Sequence, residues 1–190
     1  DGEAALVAVA EKVKAKREEP TVVHPPPEDS PQSTGGSENQ HKQTFGKIRT
    51  HRVDLEEKLK EPIGPKHVLM PWMVRRIPWC RNKFQVGKDG RTLHEREYGK
   101  PYVHGVLEFG EICIGKLSNK QLKEAKLDPR GKKGVWVRRS DDTNDHILLT
   151  KTGVFTCRTV TRVPESEKFD RHFVAQVRGT PWNPFGMKNT

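Results

Sequence analysis

Nowhere in this chain does an apolar run approach the roughly 20 residues needed to cross a bilayer, and no basic n-region followed by an apolar h-region opens it. With neither a membrane span nor a secretory signal in view, the chain reads as intracellular, nuclear or cytoplasmic. Cysteine is scarce: Cys80, Cys113 and Cys157 are odd in number, far apart, and lie in no CxxC or Cys/His spacing that would close a zinc site. They are expected to be buried thiols in a reducing compartment. The eight histidines form no HxxxH array, and Gly87, Gly90 and Gly99 sit in no GxxxxGKS/T or strand–GxGxxG–helix context, so they read as turn glycines. No spacing supports a Ser/His/Asp or Cys/His nucleophile, and no internal repeat is found.

Apolar residues are also few, at 32%, against roughly 45–50% in an average domain counted with glycine. Any core is therefore small or cut by the chain boundaries. The chain begins at Asp1, without Met, at what reads as a helix start, and this suggests a fragment whose earlier residues are missing.

What the chain has in excess is positive charge. Lys and Arg outnumber Asp and Glu by 35 to 25, for a net charge of +10 and a pI near 9.6. A polyanionic partner fits such a surface by counterion release and steering, and a merely solvated basic surface is the alternative. The excess is concentrated: residues 40–100 hold 15 Lys and Arg against 7 Asp and Glu.

Apolar spacing predicts a helix over residues 3–18, with Leu6, Val9 and Val13 on one face and Asp1 available as a cap. Residues 21–24 read as a short β-branched strand stopped by Pro25–Pro27, and 25–37 as a loop. A long amphipathic helix is expected over 37–60, carrying Phe45, Ile48, Leu55 and Leu59. A second follows over 67–86, with a kink or interruption at Pro78. Thr92 is set to cap a short helix that stops at Gly99 before Pro101. Strand patterns then cover 111–117, 134–139, 146–150 and 153–161, with residues 150–153 as a hairpin turn. Residues 118–133 read as a loop and 164–190 as a tail. Trp72, Trp79, Phe84 and Trp136 are expected in the core rather than on stacked bases.

The stretch ProGlnSerThrGlyGlySerGluAsn at 31–39 opens the long helix and would place Glu38 in its first turn, where the helix dipole favours a carboxylate. A simple helix-start glutamate is the alternative. An Asp with 36 residues between it and the Glu that ends ProGlnSerxGlyxxGlu resembles the second half of the Asp, Asp, Glu triad of retroviral and retrotransposon integrases. Downstream, residues 84–101, PheGlnValGlyLysAspGlyArgThrLeuHisGluArgGluTyrGlyLysPro, resemble a segment of copia-type integrases. LeuGluPheGlyGlu at 107–111 and GlyValTrpVal at 134–137 are similar, in the same order, to their phenylalanine-glycine step and glycine-centred barrel strand. The resemblance spans roughly residues 1–163.

The resemblance implies an α+β chain: a truncated RNase H-like catalytic core over 1–100, mostly its C-terminal helices, then a small SH3-like antiparallel β-barrel over 101–163 and a tail over 164–190. It implies a metal-dependent polynucleotidyl transferase in which Asp1 and Glu38 are catalytic residues and two of the three carboxylates that hold two Mg²⁺ or Mn²⁺ ions. Hard cations take oxygen ligands, and a metal pair activates the attacking hydroxyl and stabilises the leaving oxygen. The strand bearing the first Asp is absent, so the chain is not expected to act alone. DNA is the implied partner, with homo-oligomeric assembly of the full-length integrase. Lys42, Arg49 and Arg52, at helical steps of 7 and 3 residues, would share a face near Glu38 and contact phosphates, as would Lys47. A solvated helix face is the alternative at those residues. For the chain as a whole, a catalytically dead DNA-binding remnant and a protein-interaction module stay open.

Overall fold

The computed structural model describes residues 4–23, 31–118 and 129–186. The chain divides into two compact units, residues 1–46 and 47–190.

In the first unit, α1 (Ala4–Lys16) is a helix because Ala, Glu and Lys favour one locally. None of its side chains is buried, and Leu6, Val9 and Val13 are all more than half exposed. The strand expected at 21–24 is not formed over the described residues 21–23, where Val22 faces solvent. Among the described residues its β-branched pair has no neighbouring strand to bond. Helix α2 (Pro31–Leu59) begins six residues before the expected start. Proline suits a first helical turn, because its fixed φ is helical and its missing N–H would be unbonded there anyway. From 31 to 44, α2 carries no aliphatic or aromatic residue; Phe45, expected on the apolar stripe, is exposed.

In the second unit, the remainder of α2 buries Ile48, Leu55 and Leu59. It ends at Lys60, whose φ of +55° is left-handed. The Glu56 carboxylate then accepts the Ile63 N–H at 2.7 Å and the Arg52 Nε–H at 2.9 Å, which fixes the chain as it leaves the helix. Helix α3 (Leu69–Phe84) buries Leu69, Trp72, Met73, Arg76 and Ile77, the steps of one helical face. It runs through Pro78 without interruption. Pro78 is exposed, so the carbonyl it leaves without a helical N–H is on the solvent side. Helix α4 (Leu93–Tyr98) has the full set of local signals. The Thr92 hydroxyl accepts the Glu95 N–H, the Glu95 carboxylate accepts the Thr92 N–H, and Gly99 closes the helix at φ +71°.

Five antiparallel strands follow: β1 (Ile112–Lys116), β2 (Gly131–Arg139), β3 (His146–Thr150), β4 (Gly153–Cys157) and β5 (Val160–Arg162), in the order β4-β3-β2-β1-β5. The β3–β4 hairpin turns where expected, with Thr150 paired to Gly153. The central strands β2 and β3 are buried on both faces, and the two-residue alternation assigns buried side chains to one of two cores. Ile112, Val135, Val137 and Leu149 meet Leu55, Leu59, Trp72, Met73 and Ile77 of the helices. Cys113, Trp136, Leu148, Phe155 and Cys157 gather on the opposite, concave face. A bulge between Trp136 and Arg138 helps bend the sheet. Gly115 permits the curl, since a Cβ there would lie 2.6–2.7 Å from Leu148, Phe155 and Cys157.

The expected tail is packed. Asp170 caps the short helix α5 (Arg171–Val174), and Val174 and Val177 enter the helix-side core. Backbone bonds from Ile112 N–H to Lys168 and from Arg178 N–H to Thr150 fasten the segment to the sheet, and Trp72 Nε1–H donates to the Gly179 carbonyl at 2.9 Å. The helical pair, the sheet and this segment thus share one core, and the division expected at residue 100 falls inside it. The architecture is α+β, and no helix among the described residues is long and apolar enough to cross a membrane.

Candidate nucleic-acid interface

Of the two carboxylates singled out in the sequence, Asp1 lies outside the described residues. Glu38 is exposed on α2, seven residues after Pro31. Because the helix starts early, Glu38 sits about two turns in, and the dipole that acts within the first turn does not reach it. Among the described residues, no three His, Cys, Asp or Glu side chains lie close enough together to hold a metal ion. A carboxylate oxygen is a suitable donor for a hard cation, but the described residues do not by themselves assemble a metal site. Lys42, one turn beyond Glu38, is likewise exposed in the first unit.

Lys47, Arg49 and Arg52 belong to the second unit, where the buried stripe of α2 orients them. At about 100° per residue, Lys47 lies on one flank of that stripe and Arg49 and Arg52 on the other. Arg49 is exposed. Arg52 is half-buried and held by Glu56, whose carboxylate pKa is lowered first by the Ile63 N–H and then by Arg52. Its guanidinium supports the end of the helix.

Lys47 reaches across to α3, donating to Gln85 Oε1 at 3.0 Å, and lines a cleft of about 440 Å³ between the two helices. Ile77, Cys80 and Phe84 give the cleft an apolar floor, and Thr50, His51 and Arg81 complete its wall. Burial, then the charge of Arg76, lowers the His51 pKa, so this imidazole is neutral at physiological pH. Arg81 and Gln85 also border a smaller cleft of about 170 Å³ with Arg91 and Arg96. Asp89 ties down Arg96 through paired hydrogen bonds, one of them 3.0 Å long. Lys47, Arg81 and Arg91 therefore mark a cationic track with no carboxylate among the residues lining either cleft. Sequence reading did not single out Arg81 or Arg91. The only sequence signal was the local excess of Lys and Arg, because the juxtaposition depends on how α3 packs on α2.

Arg76 and the thiols of Cys113 and Cys157 belong to the cores. Arg76 is buried between the rings of Trp136 and Phe109, 4.7 and 5.6 Å from its guanidinium carbon, and donates to the Val137 carbonyl. Burial pushes the Cys113 thiol up to about 12 and Cys157 to about 11, so both are inert. Burial raises the half-buried Cys80 thiol too, against the pull of Arg76. Trp72, Trp79 and Trp136 are in the core as expected, whereas Phe84 is half exposed at the edge of an aromatic cluster with Trp79 and Tyr102. Comparison with protein-family models, curated proteins and solved structures finds no match for the chain.

Proposed function

We propose that the chain is part of a copia-type retroelement integrase, a metal-dependent polynucleotidyl transferase that inserts element DNA into target DNA. The observation that carries this reading is ProGlnSerxGlyxxGlu at the start of a 29-residue helix, followed in order by the downstream segments similar to that family. The curled sheet, in which β5 returns to pair with β1 beside a four-strand meander, is compatible with an SH3-like barrel. On this reading residues 1–100 contribute the C-terminal helices of an RNase H-like core. Asp1 and Glu38 would serve as two of three carboxylates for Mg²⁺ or Mn²⁺, the third coming from a preceding strand. The metal would activate the attacking hydroxyl, while Lys42, Lys47, Arg49 and Arg52 would hold DNA by its phosphates. The full-length protein would work as a homo-oligomer inside the cell, in the nucleus or cytoplasm.

The test is to join the chain to the strands that bear the first Asp and assay Mg²⁺-dependent strand transfer, with Glu38→Gln as the paired variant. Activity abolished by Glu38→Gln is the expected result; equal activity in both proteins sinks the assignment. The cationic track from Lys47 through Arg81 to Arg91 favours a second reading, a remnant that binds DNA without chemistry. That reading predicts salt-dependent duplex binding indifferent to Mg²⁺ and to Glu38.

A further inference from the structure

Three of the four tryptophans are buried, and the fourth is the most exposed of the large aromatic residues: Trp182 is 75% accessible and nearby Phe185 60%. Both project from a turn that the fold holds tightly. Thr180 N–H donates to the Asn183 carbonyl, Asn183 N–H donates back to Thr180, and Gly186 N–H closes on the Asn183 carbonyl. The Pro184 carbonyl accepts the Val154 N–H at 2.8 Å, which fixes the turn to the start of β4. Gly153 and Gly179 make this approach possible, since a Cβ on either would lie within 2.5 Å of the Pro184 oxygen, and both have positive φ, at +119° and +100°. The turn is therefore ordered by backbone bonds while both rings stay more than half exposed.

The surroundings are cationic. Lys151 is in the β3–β4 turn, two residues from the Gly153 position that abuts Phe185, and Arg178 packs its Cβ near Gly186. Lys132 reaches the same turn by donating to Thr152 Oγ1 at 2.7 Å. Residues 171–186 lack an acid, while on the strands Lys133, Arg138 and Arg162 are paired with Glu167, Asp141 and Glu111.

We propose that the Trp182–Phe185 turn is a stacking platform for unpaired bases of single-stranded nucleic acid, with Lys151 and Arg178 taking the flanking phosphates. This rests on the reading of the chain as nucleic-acid-binding but on none of the α2 residues. Projecting ring faces with cations beside them match a strand whose bases are free to stack, whereas a duplex keeps its base faces inside.

The full chain is titrated with three labelled probes: an oligothymidylate of about ten nucleotides, within the site sizes of single-strand binders, an abasic strand of equal length, and a duplex. Trp182→Ala is expected to weaken oligothymidylate binding about tenfold and to leave duplex binding within about twofold. The abasic strand should bind the unmodified chain about as weakly as oligothymidylate binds the variant. Trp182→Phe should recover part of the loss, and an unchanged melting temperature would show that the variants fold. Duplex binding together with an oligothymidylate affinity indifferent to Trp182 overturns the platform and leaves the nucleic-acid reading standing. Failure of all probes to bind overturns both. Equal affinity for the abasic strand reduces the contact to phosphates, and a change in oligomeric state in place of a change in oligothymidylate affinity makes the turn a protein contact; either result overturns the inference.

Discussion

Residues 4–46 and residues 47–186 treat apolar side chains in opposite ways. In the first region Leu6, Val9, Val13 and Phe45 are all largely exposed and no described residue is buried. In the second, two cores take in side chains from α2, α3, the strands and the C-terminal segment. Both regions contain helix, so the contrast separates what makes a helix from what fixes it in place. Alanine, glutamate and lysine suffice for the first, but only burial supplies the second. The candidate site divides along the same line. Glu38 and Lys42 are on the half of α2 without an aliphatic or aromatic stripe, while Lys47, Arg49 and Arg52 are on the half anchored by Ile48, Leu55 and Leu59. A cationic surface is thus preformed in the second region, whereas no described residue of the first is buried.

The strongest way to break this comparison is at Trp136, which fills the concave core, stacks on Arg76 and donates to His146. Trp136→Ala is expected to destabilise the second region by about 4 kcal/mol, read as a fall in the urea midpoint. A loss under about 1 kcal/mol would mean that the two regions are less different than their burial indicates.

A pH titration sharpens the contrast at a smaller effect. His146 Nδ1 accepts the Trp136 Nε1–H at 2.9 Å, and burial, followed by the charge of Arg139, lowers its pKa to about 4. The unfolded imidazole titrates near 6.5. Stability from the neutral ring is therefore complete above about 6.5 and declines as pH falls towards about 4, since only the unfolded chain takes up the proton across that window. The loss is on the order of 3 kcal/mol, and His146→Gln should flatten that part of the stability–pH curve. A variant curve as steep as that of the unmodified chain would show that His146 is not the group responsible.

The smallest effect belongs to the first region. Leu6→Ala removes an exposed side chain from α1 and is expected to change the unfolding free energy by less than about 0.5 kcal/mol. A loss above about 2 kcal/mol would reveal burial of α1 that the structure does not contain.

Local signals in the sequence located elements well wherever a few neighbouring residues decide the conformation. The Thr92/Glu95 capping box, the Gly99 stop and the Thr150–Gly153 hairpin are cases, and the buried tryptophans were legible from their spacing. Errors came where distant partners decide. Residues 21–23 have strand composition but no strand beside them, and Pro31 starts a helix through Gly35 and Gly36, which read as loop. The segment after 164 buries Val174 and Val177 without any regular period, because the sheet and α3 supply the complementary surface. Pro78 is tolerated because it faces water. For the site, residue types near Glu38 were legible, but the meeting of Lys47 with Arg81 and Arg91 was not, since it follows from the packing of one helix on another.

The guanidinium of Arg76, clasped between Trp136 and Phe109 and bonded to Val137, bears on how such a chain can change over evolutionary time. It comes from α3 and ends among residues of the sheet, in a slot shaped for a flat cation. The helices and the sheet are therefore not exchangeable parts: a sheet transplanted without α3 would carry an empty slot between two aromatic rings, and α3 without the sheet would carry a stranded charge. Recombination that respects this joint cannot cut between α3 and the sheet, so the two are inherited together.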